Sequence, residues 1–247
     1  MIKRAIEERI HNALAKKKVV TIMGPRQVGK STLASAMIPE DANVLEINGD
    51  NTDVQTMFVN VDDTKMKVLI GNKNFLLVDE AQKIGNVGNM LKIVAEKSDD
   101  VKVIVTGSSA FKLAEAVNES LTGRKREFRL YPLSFKEMAD ETSALEESRL
   151  IDHRLIYGYY PEVVTSPGDE KEVIKELIDS YLYKDVLEEN DIAKQDKLVR
   201  LVQALAFQIG STVSANELAG LVGVDAKTVE RYIDILEKCY IIFTLPS

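Results

Sequence analysis

The sequence predicts an α/β protein with a mainly parallel sheet, followed by a second half that is almost entirely helical. Through about Met138, short runs of strand length, most of them apolar, alternate with segments of helical periodicity, which is typical of parallel sheets. Most of these runs end in loops that contain glycine or polar residues, and the continuous apolar run Phe75–Val78 is typical of a strand buried on both faces. Beyond that point the periodicity is helical, so we expect the sheet to be complete there.

The composition is that of a globular protein, with 247 residues, 45% hydrophobic and 29% charged, which excludes disordered and collagen-like classes. A net charge of −7 means that a nucleic-acid partner would need a local basic patch. One cysteine, Cys239, excludes an internal disulfide, and with only His11 and His153 a structural zinc site is not expected. No apolar run could span a bilayer and residues 1–18 lack a signal-peptide core, so we expect a cytoplasmic protein.

The elements of the first half follow in a regular order. Isoleucine and leucine spaced four apart predict an amphipathic helix over residues 2–15. Strands are predicted at residues 19–23, 44–47, 75–78, 101–105 and 127–130. Helices are predicted at residues 31–37 and 86–97, and again after residue 109.

The second half predicts helices at residues 144–157, 170–187 and 197–209. A helix-turn-helix pattern follows, with helices at 214–221 and 226–238 joined by Gly223-Val224-Asp225. Residues 240–245 resemble a strand.

A glycine-containing loop joins the first predicted strand to the next helix, and it reads Gly24-Pro25-Arg26-Gln27-Val28-Gly29-Lys30-Ser31. This matches G-x-x-x-x-G-K-[ST] in the strand-loop-helix context that the motif requires. The glycines permit a backbone path whose N–H groups face phosphate oxygens, and the helix start adds partial positive charge. Lys30 would reach the β- and γ-phosphates, and Ser31 would ligate Mg²⁺. The context disfavours the alternative, a turn that binds nothing.

Two carboxylates, Asp79 and Glu80, follow the apolar run Phe75–Val78, at the end of a strand where parallel-sheet proteins bind ligands. Asp79 would hold Mg²⁺, and Glu80 would orient or deprotonate the attacking water. The alternative is an ordinary helix cap, which the preceding phosphate-loop motif disfavours.

Small hydroxyl residues, Thr106-Gly107-Ser108-Ser109, end the next predicted strand. Their hydroxyls could contact the γ-phosphate or the attacking water, with Ser108 favoured slightly over Thr106. The alternative is a turn or helix cap.

A local basic cluster occupies residues 121–129 of this acidic chain. Arg124, after Gly123, could act as an arginine finger on a nucleotide held by a neighbouring subunit, which requires an oligomer. The alternative is a solvated loop.

The helix-turn-helix pattern at 214–238 has a shape that suits the major groove of double-stranded DNA. Lys227, Thr228, Glu230 and Arg231 are predicted to face outward. Residues 191–247 carry six basic and seven acidic side chains, whereas DNA readers are usually basic. A helical packing or protein-docking module therefore remains an alternative. The apolar residues predicted to hold the two helices together are Leu218, Leu221, Val222, Val224, Val229, Ile233 and Leu236.

Together these residues resemble the AAA+ superfamily, and within it bacterial and archaeal ATPases with a P-loop domain, a winged-helix-like segment and a C-terminal nuclease-like domain. Several blocks in the right order are more specific than one phosphate loop. The blocks are Gly24 to Ser31 with Thr32, Leu77-Val78-Asp79-Glu80-Ala81-Gln82, Val105-Thr106-Gly107-Ser108-Ser109, Leu121-Thr122-Gly123-Arg124 and Tyr131-Pro132-Leu133-Ser134-Phe135.

The resemblance implies a nucleotide-binding core over residues 1–138, a helical lid over 139–196 and a winged-helix-like segment over 197–247. It also implies that Lys30 and Ser31 bind ATP and Mg²⁺, that Asp79 and Glu80 form the Walker B pair, that Ser108 is sensor 1 and that Arg124 is the finger.

Two features depart from the family pattern. The family's Gly-Gly-aromatic-Pro block reads Gly158-Tyr159-Tyr160-Pro161 here. Similar proteins continue past Ser247 into the nuclease-like domain, so we expect a truncated or naturally short form.

We therefore expect a Mg²⁺-dependent ATPase of the AAA+ type in which Glu80 positions water and hydrolysis moves the lid. Two alternatives stay open: a nucleotide-gated binding switch with slow turnover, and a DNA-binding regulator whose ATPase core is secondary. The expected partners are the nucleotide, double-stranded DNA through residues 214–238 and a second copy that receives Arg124. No membrane is expected.

Overall fold

A computed structural model describes residues 1–59, 61–98, 100–108, 121–180, 186 and 195–245. The chain divides into two compact units, Met1–Val173 and Ile174–Ser247, and each has a hydrophobic core of its own. No helix in the described ranges is long and apolar enough to cross a membrane.

The first unit is built on five parallel strands in the order β2-β3-β4-β1-β5. The central strand β1 is buried along its whole length, which explains its unbroken apolar run. All five predicted strands are confirmed, with ends that shift by at most two residues. Because every strand runs the same way, the carboxyl ends share one edge of the sheet. The strands are β1 (Val19–Met23), β2 (Val44–Asn48), β3 (Phe75–Asp79), β4 (Lys102–Gly107) and β5 (Lys125–Arg129).

Helices cover the sheet on both faces, where two clusters of buried apolar residues form the core. The predicted helices at 31–37 and 86–97 are confirmed as α2 and α5. The helices of this unit are α1 (Glu7–Ala15), α2 (Lys30–Ala36), α3 (Thr52–Phe58), α4 (Asp63–Ile70), α5 (Val87–Lys97), α6 (Phe135–Glu141), α7 (Ala144–Arg149), α8 (Ile151–Tyr157) and α9 (Pro161–Thr165), and α10 (Glu170–Ile178) contains the boundary between the units.

Two helices between β2 and β3, α3 and α4, are missing from the sequence-based prediction. Their buried faces are small, with only Phe58 in α3 and two residues in α4, so their apolar periodicity is weak. The N-cap residues could have predicted both helices. The side chains of Asn51 and Asp62 accept hydrogen bonds from the first turn of each helix.

Other helix predictions need adjustment. The first helix begins at Glu7 rather than residue 2. The single helix predicted at 144–157 is two helices, which meet at Leu150. The helix predicted after residue 109 lies outside the described residues, and the one predicted at 170–187 is described through residue 180, with its α-helical part ending at Ile178.

The second unit contains α11 (Gln195–Ala206), α12 (Ala215–Val222) and α13 (Ala226–Lys238). Gly223, with a φ of 72°, ends α12 in the left-handed conformation, and Asp225 caps α13 by accepting from the Thr228 amide. The predicted helix-turn-helix is thus present.

Two predictions for this unit are wrong. Leu221, predicted to lie in the helix interface, has a side chain that is 62% exposed. Residues 240–245 form no strand: Tyr240 lies in a turn with a φ of 60°, and residues 241–245 are not part of the sheet. Lys227, Glu230 and Arg231 are exposed as predicted, whereas Thr228 is half-buried.

Candidate functional site

The loop between β1 and α2 requires glycine at both ends of its motif. A Cβ on Gly24 would collide with the carbonyl oxygen of Leu130, so the loop can pass β5 only without a side chain there. Gly29, with a φ of 92°, and Gln27, with a φ of 57°, both adopt the left-handed conformation. This path turns the chain sharply into the start of α2.

Lys30 and Ser31 are the first two residues of α2. Lys30 is only 4% exposed, and its Nζ donates to the Pro25 carbonyl oxygen at 2.7 Å, so the ammonium group lies against the loop itself. The Ser31 hydroxyl donates to Oδ1 of Asp79 at 2.9 Å. The loop after β1 and the acidic end of β3 therefore meet at one edge of the sheet, as the sequence predicts.

Thr106 on β4 joins the two acidic residues. Its fully buried hydroxyl donates to the Asp79 carboxylate and accepts from the Glu80 amide at 3.3 Å. The sequence favours Ser108 slightly over Thr106, yet the structure places both hydroxyls against the acidic pair. Ser109 lies outside the described residues.

Glu80 sits in the left-handed conformation, with φ 47° and ψ 45°, which is uncommon for a residue with a side chain. Its Oε2 accepts from the Ser108 hydroxyl at 3.3 Å and from the Gln82 amide. The same Gln82 nitrogen donates to the Ser108 hydroxyl at 2.9 Å. Gln82 therefore links the two side chains, a contact that no sequence pattern indicates.

Gly49 supports the acidic pair from the neighbouring strand. Its amide donates to the Asp79 carbonyl oxygen at 2.8 Å, and a Cβ there would collide with the Glu80 carbonyl oxygen. The Gln55 side chain holds the Gly49 carbonyl at 2.7 Å. Only glycine can lie this close to the Glu80 backbone. The sequence shows the turn Asn48-Gly49-Asp50, but it does not show that Glu80 packs against it.

Arg124 lies at the opposite edge of the sheet. It precedes β5, whose first residue, Lys125, pairs with Val19 at the start of β1, one strand length or about 13 Å from the phosphate loop. Its guanidinium pairs with Glu96 on α5. Within one chain, Arg124 is therefore not brought to the acidic pair.

The residues suit a divalent cation that also binds phosphate. The described residues contain no group of three or more His, Cys, Asp or Glu side chains that could hold a metal alone. Mg²⁺ is usually held by one or two protein oxygens together with substrate phosphates and water. The Ser31 hydroxyl and the Asp79 carboxylate, 2.9 Å apart at the phosphate loop, fit that donor set.

A parallel five-stranded sheet with this loop and acidic strand end defines a P-loop NTPase. Comparison with protein families agrees: residues 16–139, half of the chain, match the family model described as AAA domain. The chain therefore belongs to the AAA family of P-loop ATPases. Residues 148–247 match a domain of unknown function, DUF8612.

Similar proteins include an uncharacterised protein of Haemophilus influenzae, 27% identical over 69% of this chain and 45% of its own length. Another, from Methanocaldococcus jannaschii, is 26% identical over 99% of this chain and 60% of its own length. The chain thus spans about half the length of the curated relatives it matches.

The fold is also that of a solved structure, the Walker-type ATPase PABY2304 of Pyrococcus abyssi. The two chains are 18% identical, with a TM-score of 0.63 over 97% of this chain and 90% of the other. At this identity the likeness concerns the fold.

Proposed function

We propose that the protein binds ATP with Mg²⁺ at the loop of residues 24–32 and hydrolyses it. The observation that carries this proposal is the 2.9 Å hydrogen bond between Ser31 and Asp79. It joins the start of α2, after the loop that follows β1, to the end of β3, and these two strands are not adjacent in the sheet. Family membership supports the same chemistry.

In this proposal the loop amides and Lys30 hold the phosphates. The Lys30 ammonium leaves the Pro25 carbonyl oxygen for the phosphate oxygens, where it offsets the charge that develops during transfer. Bound Mg²⁺ would supply further neutralisation of the phosphate charge, with Ser31 and Asp79 as its protein ligands. Thr106 keeps the Asp79 carboxylate in place.

Glu80 is proposed to orient the attacking water and to accept its proton. Gln82 and Ser108 fix the Glu80 carboxylate through their hydrogen bonds. Ser108 is 6% exposed, and Glu80 and Gln82 are half-buried.

We further propose that hydrolysis is coupled to the helical residues 139–196 as a lid and to residues 197–247 as a winged-helix-like segment. Domain arrangement would then follow nucleotide state. Double-stranded DNA remains a candidate partner for residues 214–238, and the exposed Lys227 and Arg231 on α13 favour it. Exposed Glu230 and Asp234 on the same helix oppose it.

Arg124 is proposed to act on a neighbouring copy, because its own chain holds it at the far edge of the sheet. A steady-state turnover assay at varied protein concentration tests this proposal together with ATPase activity. Specific activity that rises with concentration, and falls in Arg124→Ala, is the expected result. Concentration-independent turnover would remove the role in trans, and negligible turnover despite tight binding would favour a nucleotide-gated switch.

A further inference from the structure

Arg4 is a buried arginine next to the phosphate loop, and the proposed mechanism does not use it. Its side chain is 7% exposed, and three of its nitrogens donate to three separate parts of the first unit. Nη1 donates to the carbonyl oxygen of Val28 at 3.0 Å. Nη2 donates to the carbonyl oxygen of Tyr131 at 2.6 Å, and Nε donates to Oε1 of Glu137 at 3.0 Å.

The hydrogen bond to the Val28 carbonyl oxygen also fixes the direction of the Gly29 amide. The Val28 carbonyl and the Gly29 amide belong to the same planar peptide unit, in which C=O and N–H point in opposite directions. When Arg4 holds the carbonyl oxygen on its own side of the loop, the Gly29 N–H must point to the other side. In a loop of this motif, that amide is one of the phosphate donors.

Glycine makes this peptide unit easy to rotate. Gly29 has a φ of 92°, and without a Cβ it reaches both halves of backbone conformational space at little cost. A rotated unit would present the Val28 carbonyl oxygen to the phosphates, where like partial charges repel. A Cβ placed on Gly29 would lie 3.8 Å from Nη1 of Arg4, so the guanidinium lies close behind this peptide unit.

Arg4 is itself held rigidly. Oε1 of Glu137 also accepts from the Ala5 amide at 2.8 Å, and Oε2 accepts from the Ser134 amide at 2.8 Å in a capping box at the start of α6. Burial alone would raise the pKa of Glu137, but hydrogen bonds from Ala5, Ser134 and Arg4 lower it below its ordinary value of 4.5. Glu137 is thus a carboxylate at neutral pH, and it anchors the guanidinium.

We propose that Arg4 is a positioning residue for the phosphate site: by holding the Val28 carbonyl, it aims the Gly29 amide at the nucleotide phosphates. This inference rests on the proposed function, since it assigns a supporting residue to that same site. The segment before α1 would then belong to the nucleotide-binding site, although Arg4 is 24 positions from Val28 in sequence.

The test is calorimetric titration of Mg·ATP into the wild type, Arg4→Ala and Arg4→Lys. Losing a charged hydrogen bond that orders a donor should weaken binding by about tenfold or more in Arg4→Ala. Arg4→Lys keeps a cation that can reach one of the three acceptors. The affinity of this variant for Mg·ATP should therefore lie between those of the wild type and Arg4→Ala. Binding by Arg4→Ala that equals the wild type would overturn the inference.

The chain offers a matched control in a second buried arginine-glutamate pair. Nε of Arg154 donates to Oε1 of Glu147 at 3.0 Å, with side chains 9% and 1% exposed, and the two residues lie on α8 and α7. Arg154→Ala should lower the unfolding temperature much as Arg4→Ala does, yet leave the Gly29 amide resonance of the nucleotide-free protein unchanged in ¹H–¹⁵N NMR spectra. A Gly29 resonance displaced equally in both variants would mean that general destabilisation, rather than loop orientation, explains the effect.

A spectroscopic readout keeps the inference testable if Arg4→Ala does not fold. In ¹H–¹⁵N NMR spectra, the Gly29 amide resonance should shift in Arg4→Lys and move less on addition of Mg·ATP than in the wild type. An unchanged Gly29 resonance would contradict the proposed orientation. Failure of the wild type itself to bind Mg·ATP would overturn the proposed function and this inference together, whereas wild-type binding with normal Arg4 variants overturns only the inference.

Discussion

The Ser31 hydroxyl donates to the Asp79 carboxylate at 2.9 Å. The two residues are 48 positions apart in sequence. Ser31 is on α2, which follows β1, and Asp79 ends β3; β1 and β3 flank β4 in the sheet. Since all strands are parallel, the loop after β1 and the acidic end of β3 must face the same edge. The candidate site is therefore a consequence of the strand order.

Substitution Glu80→Gln should separate binding from chemistry. The amide keeps the size of the side chain but cannot accept a proton from water, so turnover should fall by about a hundredfold or more while Mg·ATP affinity is retained. Parallel calorimetry and phosphate-release assays measure the two effects. Lys92→Ala, at an exposed position on α5, serves as a control that should match the wild type in both assays. Undiminished phosphate release by Glu80→Gln would remove this residue from the mechanism.

Gln82 is expected to act through Glu80. Without its hydrogen bonds to Glu80 and Ser108, Gln82→Ala should lower kcat by about tenfold and change KM little. Gln82→Glu replaces the donating amide with a second carboxylate beside Glu80, so it should lower kcat at least as much as Gln82→Ala does.

The control for this pair of variants is Gln203→Ala, at an exposed position on α11, which should leave kcat and KM where they are. An unchanged kcat in both Gln82 variants would show that the contact does not govern Glu80.

Gly49→Ala should distort the acidic pair by steric means. The new Cβ would collide with the Glu80 carbonyl oxygen, so we expect a loss of about 1–3 kcal/mol in unfolding free energy, as for other overpacked sites. Gly220→Ala on α12 is the contrasting case, because nothing lies within 4 Å of its Cβ and alanine favours helices by about 1 kcal/mol. Urea unfolding measures both, and equal effects of the same sign would refute the packing argument.

Glu137 should make the stability of the fold sensitive to acid. Its pKa lies below 4.5 in the folded protein, so the carboxylate contributes stability at higher pH and that contribution disappears as pH falls from 4.5 through the folded pKa. The difference in unfolding free energy between the wild type and Glu137→Gln should shrink over this window. Glu141→Gln, at an exposed position on the same helix, is the reference, and a difference that stays constant with pH would contradict the assignment.

The sequence predicts the sheet well because β1 and most of β3 are buried on both faces. Their apolar runs are then continuous and easy to read. The turn between α12 and α13 is equally readable, since Gly223 and Asp225 are the residue types that end and cap helices.

Contacts between segments that are distant in sequence could not be predicted from the sequence. The Arg4–Glu137 pair joins residues 133 positions apart, and no local pattern encodes it. The choice between Thr106 and Ser108 likewise depended on geometry, because both are small hydroxyl residues at one strand end. The strand predicted at 240–245 depends on β-branched and aromatic composition alone. The structure instead has Tyr240 in a turn, and no strand forms.

Calorimetric titration of the purified chain with Mg·ATP tests whether residues 24–32 form a nucleotide site. The wild type should bind saturably, and Lys30→Ala, in which the ammonium group at the loop is absent, should lose binding. Lys92→Ala should bind like the wild type. No heat of association with either ATP or GTP in the presence of Mg²⁺, or undiminished binding by Lys30→Ala, would mean that the loop is not a nucleotide site.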